Sequence, residues 1–283
     1  MSNLLNVENL WVKFPTRNGI FDAVRGVSFS LGRERLGIVG ESGSGKSMTG
    51  RAILRLIRPP GMVSADRLDL EGQPLLTRTE KQMRDVRGQQ ISMIMQDPKF
   101  SLNPVMRVGA QISEAYRLHN NVSKSAARAK TLEMLEAVAI RDPARVYNMY
   151  PHEVSGGMGQ RIMIAMMLIP NPKIMIADEP TSALDVSVQM QVLEIMDKLV
   201  VERGMGLIFI SHDLNLVSSF CDRVLIMYAG RVVETLKADQ LHNAQHPYTQ
   251  GLLNSLPRLD APVDRLRVLK RDPAWAKEAS VTA

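Results

Sequence analysis

The stretch Gly40-Glu41-Ser42-Gly43-Ser44-Gly45-Lys46-Ser47 decides the fold class of this chain. It follows the apolar run 36–39 and precedes a helix-compatible run from Met48 to Ile57. Glycines let successive backbone N–H groups turn toward one anion, and the start of the following helix adds partial positive charge. In this context the stretch predicts a phosphate-binding loop for a nucleoside triphosphate. Lys46 is expected to reach the β- and γ-phosphates, and the Ser47 hydroxyl is expected to ligate Mg²⁺.

The composition is that of an ordinary soluble protein, with 283 residues of which 45% are apolar and 23% charged. The longest dense apolar run, Ile162–Pro170, is too short to span a bilayer. The start of the chain lacks the basic-then-apolar layout of a signal peptide, and Cys221 is the only cysteine. We therefore expect a cytosolic protein without an intrachain disulfide. The net charge of +6 is dispersed along the chain, which favours a solvated surface over a nucleic-acid or lipid site.

Hydrophobic periodicity predicts an α/β chain with a helical insertion. Strands are predicted at 4–14, 21–31, 35–39, 63–70, 91–95, 174–177, 207–210, 224–228 and 231–234. Helices are predicted at 48–57, 79–87, 105–118, 123–139, 155–169 and 186–202. After Gln96 no strand pattern appears until Ile174, which indicates an all-helical insertion of about 70 residues. The later strand–helix–strand alternation predicts a parallel sheet, and the charged end from Pro257 onward is predicted to be loosely ordered.

Several polar residues follow the ends of predicted buried strands. Asp178 ends the run 174–177 and can hold Mg²⁺ through water, and Glu179 can polarise a water for attack on the γ-phosphate. The amide of Gln96 can touch Mg²⁺ or the attacking water, and His212 can hydrogen-bond the γ-phosphate. Taken alone, each also fits an ordinary loop or helix-cap residue, so the phosphate loop upstream carries the functional interpretation.

A second glycine-rich helix start lies at Val154-Ser155-Gly156-Gly157-Met158-Gly159-Gln160-Arg161. Such a helix N-terminus binds anions, yet one nucleotide does not need two such anion-binding sites from one chain. If the second anion-binding site faces the phosphate loop of another copy, the nucleotide is sandwiched between two subunits. This arrangement predicts a protein that works as a pair.

With this motif the sequence resembles the ATP-binding cassette (ABC) ATPases. Its motifs match theirs in order and spacing: Walker A at 40–47, Q-loop at Gln96, signature at 155–157, Walker B at 174–179, D-loop at 182–185 and switch histidine at His212. The forms of these motifs, together with His246-Pro247-Tyr248-Thr249, resemble the dipeptide/oligopeptide/nickel importer branch. Two departures are Met158, where the signature usually has Gln, and Gly159, where Arg is common. The chain also lacks the cysteine cluster that some members carry.

The resemblance implies a RecA-like P-loop NTPase core with an antiparallel β subdomain and an α-helical insertion. It also implies that the protein hydrolyses ATP with Mg²⁺. Phe14 would stack on adenine, with Phe21 as a rival, and Glu179, His212 and Gln96 would be catalytic. Nucleotide contacts would come from Gly40, Ser42, Gly43, Ser44, Gly45, Lys46, Ser47, Met48, Ser155, Gly156 and Gly157. The metal ligands would be Ser47, Gln96 and Asp178. The ATP-binding domain would cover 4–256, with a helical subdomain at about 97–155, and 257–283 would be a C-terminal tail.

The resemblance also implies a function and a set of partners. The chain would power uptake of peptides or a related solute such as nickel, an opine or a glycoside. Its partners would be two membrane permease subunits, a second and different ATP-binding subunit, and an extracytoplasmic solute-binding protein reached through the permease. It would lie peripherally on the cytoplasmic face of the inner membrane, with the permease docking at loop 97–103, and it would bind no nucleic acid. The alternative is an ABC ATPase acting on nucleic acid or the ribosome, but no coiled-coil arm, cysteine pair or second cassette supports it.

Overall fold

The computed structural model of the protein describes residues 3–95, 102–182, 184–256, 269 and 271–281. The chain forms two compact units. One unit combines Met1–Thr77 with Phe209–Ala283, and the other contains Arg78–Ile208. They are called here the phosphate-loop unit and the helical unit.

An antiparallel sheet forms one part of the phosphate-loop unit. Its long hairpin consists of β1 (Leu5–Thr16) and β2 (Gly19–Leu31), paired from Leu5↔Leu31 to Thr16↔Gly19. On the other side of β1 lie β5 (Arg67–Leu70) and then β6 (Gln73–Pro74), and β4 (Met62–Ser64) also pairs with β1. The alternating apolar residues of β1 and β2 are buried, as their period of two predicts.

Parallel pairing in the same unit places the phosphate loop. Strand β3 (Arg35–Val39) runs parallel to β10 (Arg223–Tyr228), which pairs antiparallel with β11 (Arg231–Lys237). Positive φ angles at Ala229 (46°) and Gly230 (84°) form the tight turn of the β10–β11 hairpin, which confirms its prediction. Helix α1 (Lys46–Ile53) follows β3 through residues 40–45. The predicted strand–loop–helix order is therefore confirmed.

Most predicted elements in this unit differ from the structure by a few residues at their ends, as for β1, β2 and β11, and two differ for an identifiable reason. Helix α1 ends at Ile53 and not at Ile57, because Arg55 adopts a left-handed φ of 51° and the Leu56 N–H bonds to the Arg51 carbonyl at 2.9 Å. This is a Schellman-type end, for which glycine is the usual sequence signal. The predicted single strand 63–70 is two strands, β4 and β5, which both pair with β1.

The helical unit contains buried parallel strands. Strand β7 (Ile91–Ile94) pairs in parallel with β8 (Ile174–Asp178), from Ile91↔Ile174 to Ile94↔Ala177, and both are buried along their whole length. Continuous apolar runs are typical of parallel strands covered on both faces. Strand β9 (Gly206–Ser211) is also buried throughout, and the division between the units falls within it.

The other elements in the described part of the helical unit are helices. They are α2 (Glu80–Val86), α3 (Val108–His119), α4 (Lys124–Ala137), α5 (Pro143–Asn148), a 3₁₀ helix (Pro151–Glu153), α6 (Gly156–Leu168) and α7 (Val186–Arg203). Between 102 and 173 the described chain forms no strand, as predicted. Helix α5 is an addition to the prediction, although Asp142 caps it and Pro143 occupies its first position, both of which are sequence signals for a helix start.

The C-terminal residues of the phosphate-loop unit pack against its core. After α8 (Leu214–Phe220) and the hairpin come α9 (Pro247–Asn254) and a short 3₁₀ helix, Pro273–Lys277. The Trp275 ring contacts those of Tyr228 and Tyr248 at centroid distances of 6.1 and 6.2 Å. The Val281 N–H bonds to the Val232 carbonyl at 2.8 Å. The prediction of loose order after Pro257 is therefore wrong for residues 271–281, because an aromatic cluster around the buried Tyr248 and a strand carbonyl hold them. Residues 257–268 lie outside the described part of the chain.

No helix in the described parts of the chain combines the length and the apolar character that crossing a bilayer requires.

Candidate functional site

The phosphate loop needs glycine where the backbone passes close to its neighbours. A Cβ atom at Gly40 would lie 2.1 Å from the carbonyl oxygen of Met227. At Gly45 the φ angle is +100°, and a Cβ would lie 2.6 Å from the carbonyl oxygen of Ala23. Both positions therefore exclude side chains, and the loop lies directly on β2 and β10. This packing fixes the backbone that presents its N–H groups to an anion.

Lys46 crosses the interior of the loop. Its side chain is buried, and its ammonium group donates hydrogen bonds to the carbonyl oxygens of Gly40 at 2.7 Å and Glu41 at 2.8 Å. Ser47 and Met48 are half-buried in the first turn of α1. The positive charge and the helix N-terminus thus lie on one short segment, which fits the phosphate groups of a nucleotide.

His212 lies at the same cavity as the start of the phosphate loop. This cavity has a volume of about 570 Å³. Its lining consists of Val39, Gly40, Glu41, Ser42, His212, Leu214, Leu252 and Arg271. The His212 side chain is exposed, and it follows β9 just before α8 begins. The structure therefore brings His212 beside the loop residues with which the sequence associates it.

Both candidates for adenine stacking lie on the β1–β2 hairpin, directly opposite each other as Phe14↔Phe21. Phe14 is half-buried and lies against Gly61, where a Cβ would be 2.7 Å from its ring. Phe21 is 55% exposed. Opposed residues of an antiparallel pair share one face of the sheet, so both rings are available on that face.

The carboxylates of the helical unit lie where β8 ends. Asp178 is the last residue of β8 and is buried, whereas Glu179 is half-buried with a left-handed φ of 47°. The Ser182 hydroxyl donates a 3.2 Å hydrogen bond to the Glu179 carbonyl and holds the turn. A non-glycine residue at such a φ carries backbone strain, which often marks a functional position. Gln96, the third residue assigned to this chemistry, lies outside the described residues.

The second glycine-rich segment starts α6, as predicted. Ser155 caps the helix by accepting a hydrogen bond from the Met158 N–H at 3.4 Å. Ser155 and Gly156 are exposed, so the first turn of a 13-residue helix faces solvent. This position fits an anion supplied from outside the unit.

Sequence reasoning gave no role to Gln160, which links the signature helix to the Walker B segment. Its side chain is buried, and its amide donates a hydrogen bond to the carbonyl of Pro180, directly after Glu179. Close packing ties α6 to α7 as well, because a Cβ at Gly157 would lie 2.6 Å from Val188 Cγ1. The sequence signal that could have revealed this contact is a polar residue on the buried face of an apolar helix.

Gly157 and Gly159, in the first turns of α6, are expected to respond in opposite directions to substitution by alanine. At Gly159, inside α6, a Cβ would have no heavy atom within 4 Å outside its own turn. Gly159→Ala is therefore expected to raise the free energy of unfolding by about 0.5–1 kcal/mol, because alanine loses less backbone entropy. Gly157→Ala is expected to lower it, because its Cβ meets Val188. Urea unfolding of both variants checks this, and a Gly159→Ala protein as destabilised as Gly157→Ala would contradict it.

Two of the residues assigned to Mg²⁺ have the donor chemistry that this ion prefers. Among the described residues no three His, Cys, Asp or Glu side chains gather as a ready ligand set. Mg²⁺ characteristically takes few protein oxygens and completes its shell with water and substrate phosphates. A hydroxyl at the start of α1, Ser47, and a buried carboxylate, Asp178, are donors of this kind.

Comparison with known proteins identifies the family. The ABC transporter model matches residues 24–182, and the model of the oligopeptide/dipeptide transporter C-terminal region matches residues 233–281. The oligopeptide transport ATP-binding protein OppD of Bacillus subtilis is 49% identical over 264 residues, covering 92% of this chain and 74% of the relative. The dipeptide transport ATP-binding protein DppD of Escherichia coli is 46% identical over 268 residues, covering 94% of this chain and 82% of the relative.

Solved structures agree with the sequence matches. The dimeric structure of MJ0796, a bacterial ABC transporter cassette, gives a TM-score of 0.74 at 26% identity and covers 83% of this chain and 98% of that one. The same cassette in a post-hydrolysis state bound to ADP and Pi gives a TM-score of 0.72.

This chain belongs to the ABC transporter family, and it is an ATP-binding ATPase with the α/β fold of an ABC cassette. Its C-terminal region is that of the oligopeptide/dipeptide transporter branch. The predicted family, fold class and ATPase activity are thereby confirmed, and the matches do not favour the nucleic-acid or ribosome alternative. The roles of individual site residues stay predictions.

Proposed function

We propose that this chain hydrolyses ATP to power the import of peptides through separate membrane permease subunits. The proposed substrate class rests on the match of residues 233–281 to the model of the oligopeptide/dipeptide transporter C-terminal region. The names of the curated relatives, which refer to oligopeptide and dipeptide transport, support the same class. In this proposal the chain lies peripherally on the cytoplasmic face of the membrane, and a solute-binding protein delivers peptide to the permease from the other side.

The proposed work of each residue follows from its chemistry. Lys46 and the N–H groups of the loop bind the phosphates of ATP. Ser47, Asp178 and Gln96 would hold Mg²⁺, which would offset the negative charge of the phosphates. Glu179 orients the attacking water and accepts its proton, and His212 hydrogen-bonds the γ-phosphate. Phe14, or Phe21 opposite it, stacks on adenine. Phosphoryl transfer of this kind depends mainly on positioning and charge neutralisation.

The exposed start of α6 supports a paired arrangement. Ser155, Gly156 and Gly157 would bind the phosphates held by a second cassette, and Mg-ATP would close the pair. The proposed cassette covers 4–256, with a helical subdomain at about 97–155 and a tail at 257–283. Loop 97–103, the proposed docking place for the permease, lies outside the described residues except for Leu102 and Asn103.

The second cassette is proposed to be a different chain, because Met158 and Gly159 depart from the usual signature. The purified chain alone is expected to be a monomer with weak ATPase activity. Adding the partner cassette and permease in lipid vesicles is expected to raise the ATPase rate well above the sum of the separate parts. Peptide with its binding protein should raise it further. Light scattering and phosphate release measure the two properties.

Two outcomes of this experiment would separate the parts of the proposal. A stable homodimer with full activity in the absence of any partner would contradict the heterodimer and leave the ATPase intact. A reconstituted complex that hydrolyses ATP but takes up no labelled peptide would contradict the substrate class. A nickel salt supplied in place of peptide is the control for the related solutes.

A further inference from the structure

We infer that the C-terminal segment sets the nucleotide affinity of the phosphate loop by holding and neutralising Glu41. This inference rests on the proposed ATP site and adds to it two positioning residues, Tyr248 and Arg271. Both lie more than 200 positions from Glu41 along the chain and within the same unit.

Tyr248 holds the backbone of the loop. Its hydroxyl oxygen accepts a hydrogen bond from the Glu41 N–H at 3.1 Å, so this N–H is directed away from any phosphate. The Tyr248 ring is fully buried and contacts the ring of Tyr228 at a centroid distance of 4.6 Å. Burial raises the pKa of Tyr248 to about 12, so the hydroxyl stays protonated at physiological pH. The acceptor is therefore rigid, and its charge state is constant.

Arg271 holds the side chain of the same residue. Its guanidinium group makes a two-pronged contact with the Glu41 carboxylate, with hydrogen bonds of 2.9 and 3.2 Å. The carbonyl oxygen of Glu41 accepts a bond from Lys46 Nζ at 2.8 Å. Glu41 is thus bound through its N–H, its carbonyl and its carboxylate, and the C-terminal segment supplies the partners of the N–H and of the carboxylate.

The charge of Glu41 explains why such an arrangement affects nucleotide binding. The carboxylate lies in the second position of a loop built to receive a polyanion, where an unpaired negative charge repels phosphate. Arg271 lines the same cavity as Gly40, Ser42 and His212 and cancels that charge there. Since the Arg271 side chain is 63% exposed, the ion pair contributes little to folding. Its effect is expected in the affinity for ATP.

A double-mutant cycle in the full chain tests the inference. Arg271→Gln leaves Glu41 unpaired and is expected to raise the dissociation constant for Mg-ATP about fivefold or more. Glu41→Gln removes the repelling charge, so adding it to Arg271→Gln is expected to return the dissociation constant to near that of the wild type. The increase caused by Arg271→Gln should also shrink as potassium chloride is raised, since salt screens exposed charges. Isothermal titration calorimetry with ATP measures all four proteins.

Lys130→Gln is the control, because Lys130 forms an exposed ion pair with Glu133 at 2.7 Å on α4, where no nucleotide contact is assigned. It is expected to leave ATP affinity unchanged. An unchanged dissociation constant in Arg271→Gln, or a double variant that binds ATP as weakly as Arg271→Gln alone, would overturn the inference. A wild-type chain that binds no ATP would instead overturn the proposed site, so the two failures are distinguishable.

Discussion

Glu179→Gln is expected to lower the turnover of ATP by at least about 100-fold, because the amide cannot accept the proton of the attacking water. The affinity for ATP should stay close to that of the wild type, since Glu179 is assigned to the water and not to the nucleotide. The substitution is nearly isosteric, so it should also preserve the left-handed turn at φ 47° and the hydrogen bond from Ser182. Phosphate release in the reconstituted complex and calorimetry with ATP measure the two quantities.

Glu202→Gln is the control for the loss of one negative charge. Glu202 is exposed near the end of α7, where it forms an ion pair with Lys198 at 3.9 Å. Turnover and ATP affinity are both expected to remain at wild-type values in this variant. If Glu179→Gln hydrolyses ATP at the wild-type rate, the assignment of the general base is wrong, while the ATPase assignment stands on the family match.

Several elements of both units were predictable because their signals are local. Strand β3 has the predicted bounds Arg35–Val39, since a buried parallel strand needs only a short apolar run. The start of α6 was predictable from Ser155, whose hydroxyl caps the helix as its residue type suggests. The β10–β11 turn followed from Ala229-Gly230, because glycine readily adopts positive φ.

The remaining features depend on contacts that no local pattern records. Arg55 ends α1 in a conformation that usually selects glycine, and its guanidinium donates a hydrogen bond to the Leu75 carbonyl. The link from Tyr248 to the phosphate loop joins residues 207 positions apart. Trp275 fixes a segment whose composition suggested loose order. In each case tertiary packing overrides the propensity of the segment, so the sequence alone could not predict these parts of the candidate site.

Lys46 is expected to control ATP binding itself, in contrast to Glu179. The ammonium group lies inside the loop, where charge-assisted hydrogen bonds to phosphate contribute about 1.5–3 kcal/mol. Lys46→Ala is therefore expected to raise the dissociation constant for ATP about 10- to 100-fold. The alanine variant also leaves space in a buried site, because Lys46 is only 5% exposed. Lys46→Met retains most of the apolar stem and removes only the charge.

The comparison of these two variants separates charge from packing. Both should weaken ATP binding to a similar degree, while thermal unfolding of Lys46→Met should lie closer to that of the wild type. Lys198→Ala, which removes an exposed lysine from α7, is the control and is expected to leave the affinity unchanged. If Lys46→Met bound ATP as tightly as the wild type, the cation would have no part in holding the phosphates. The loop would then act through its backbone N–H groups and the start of α1 alone.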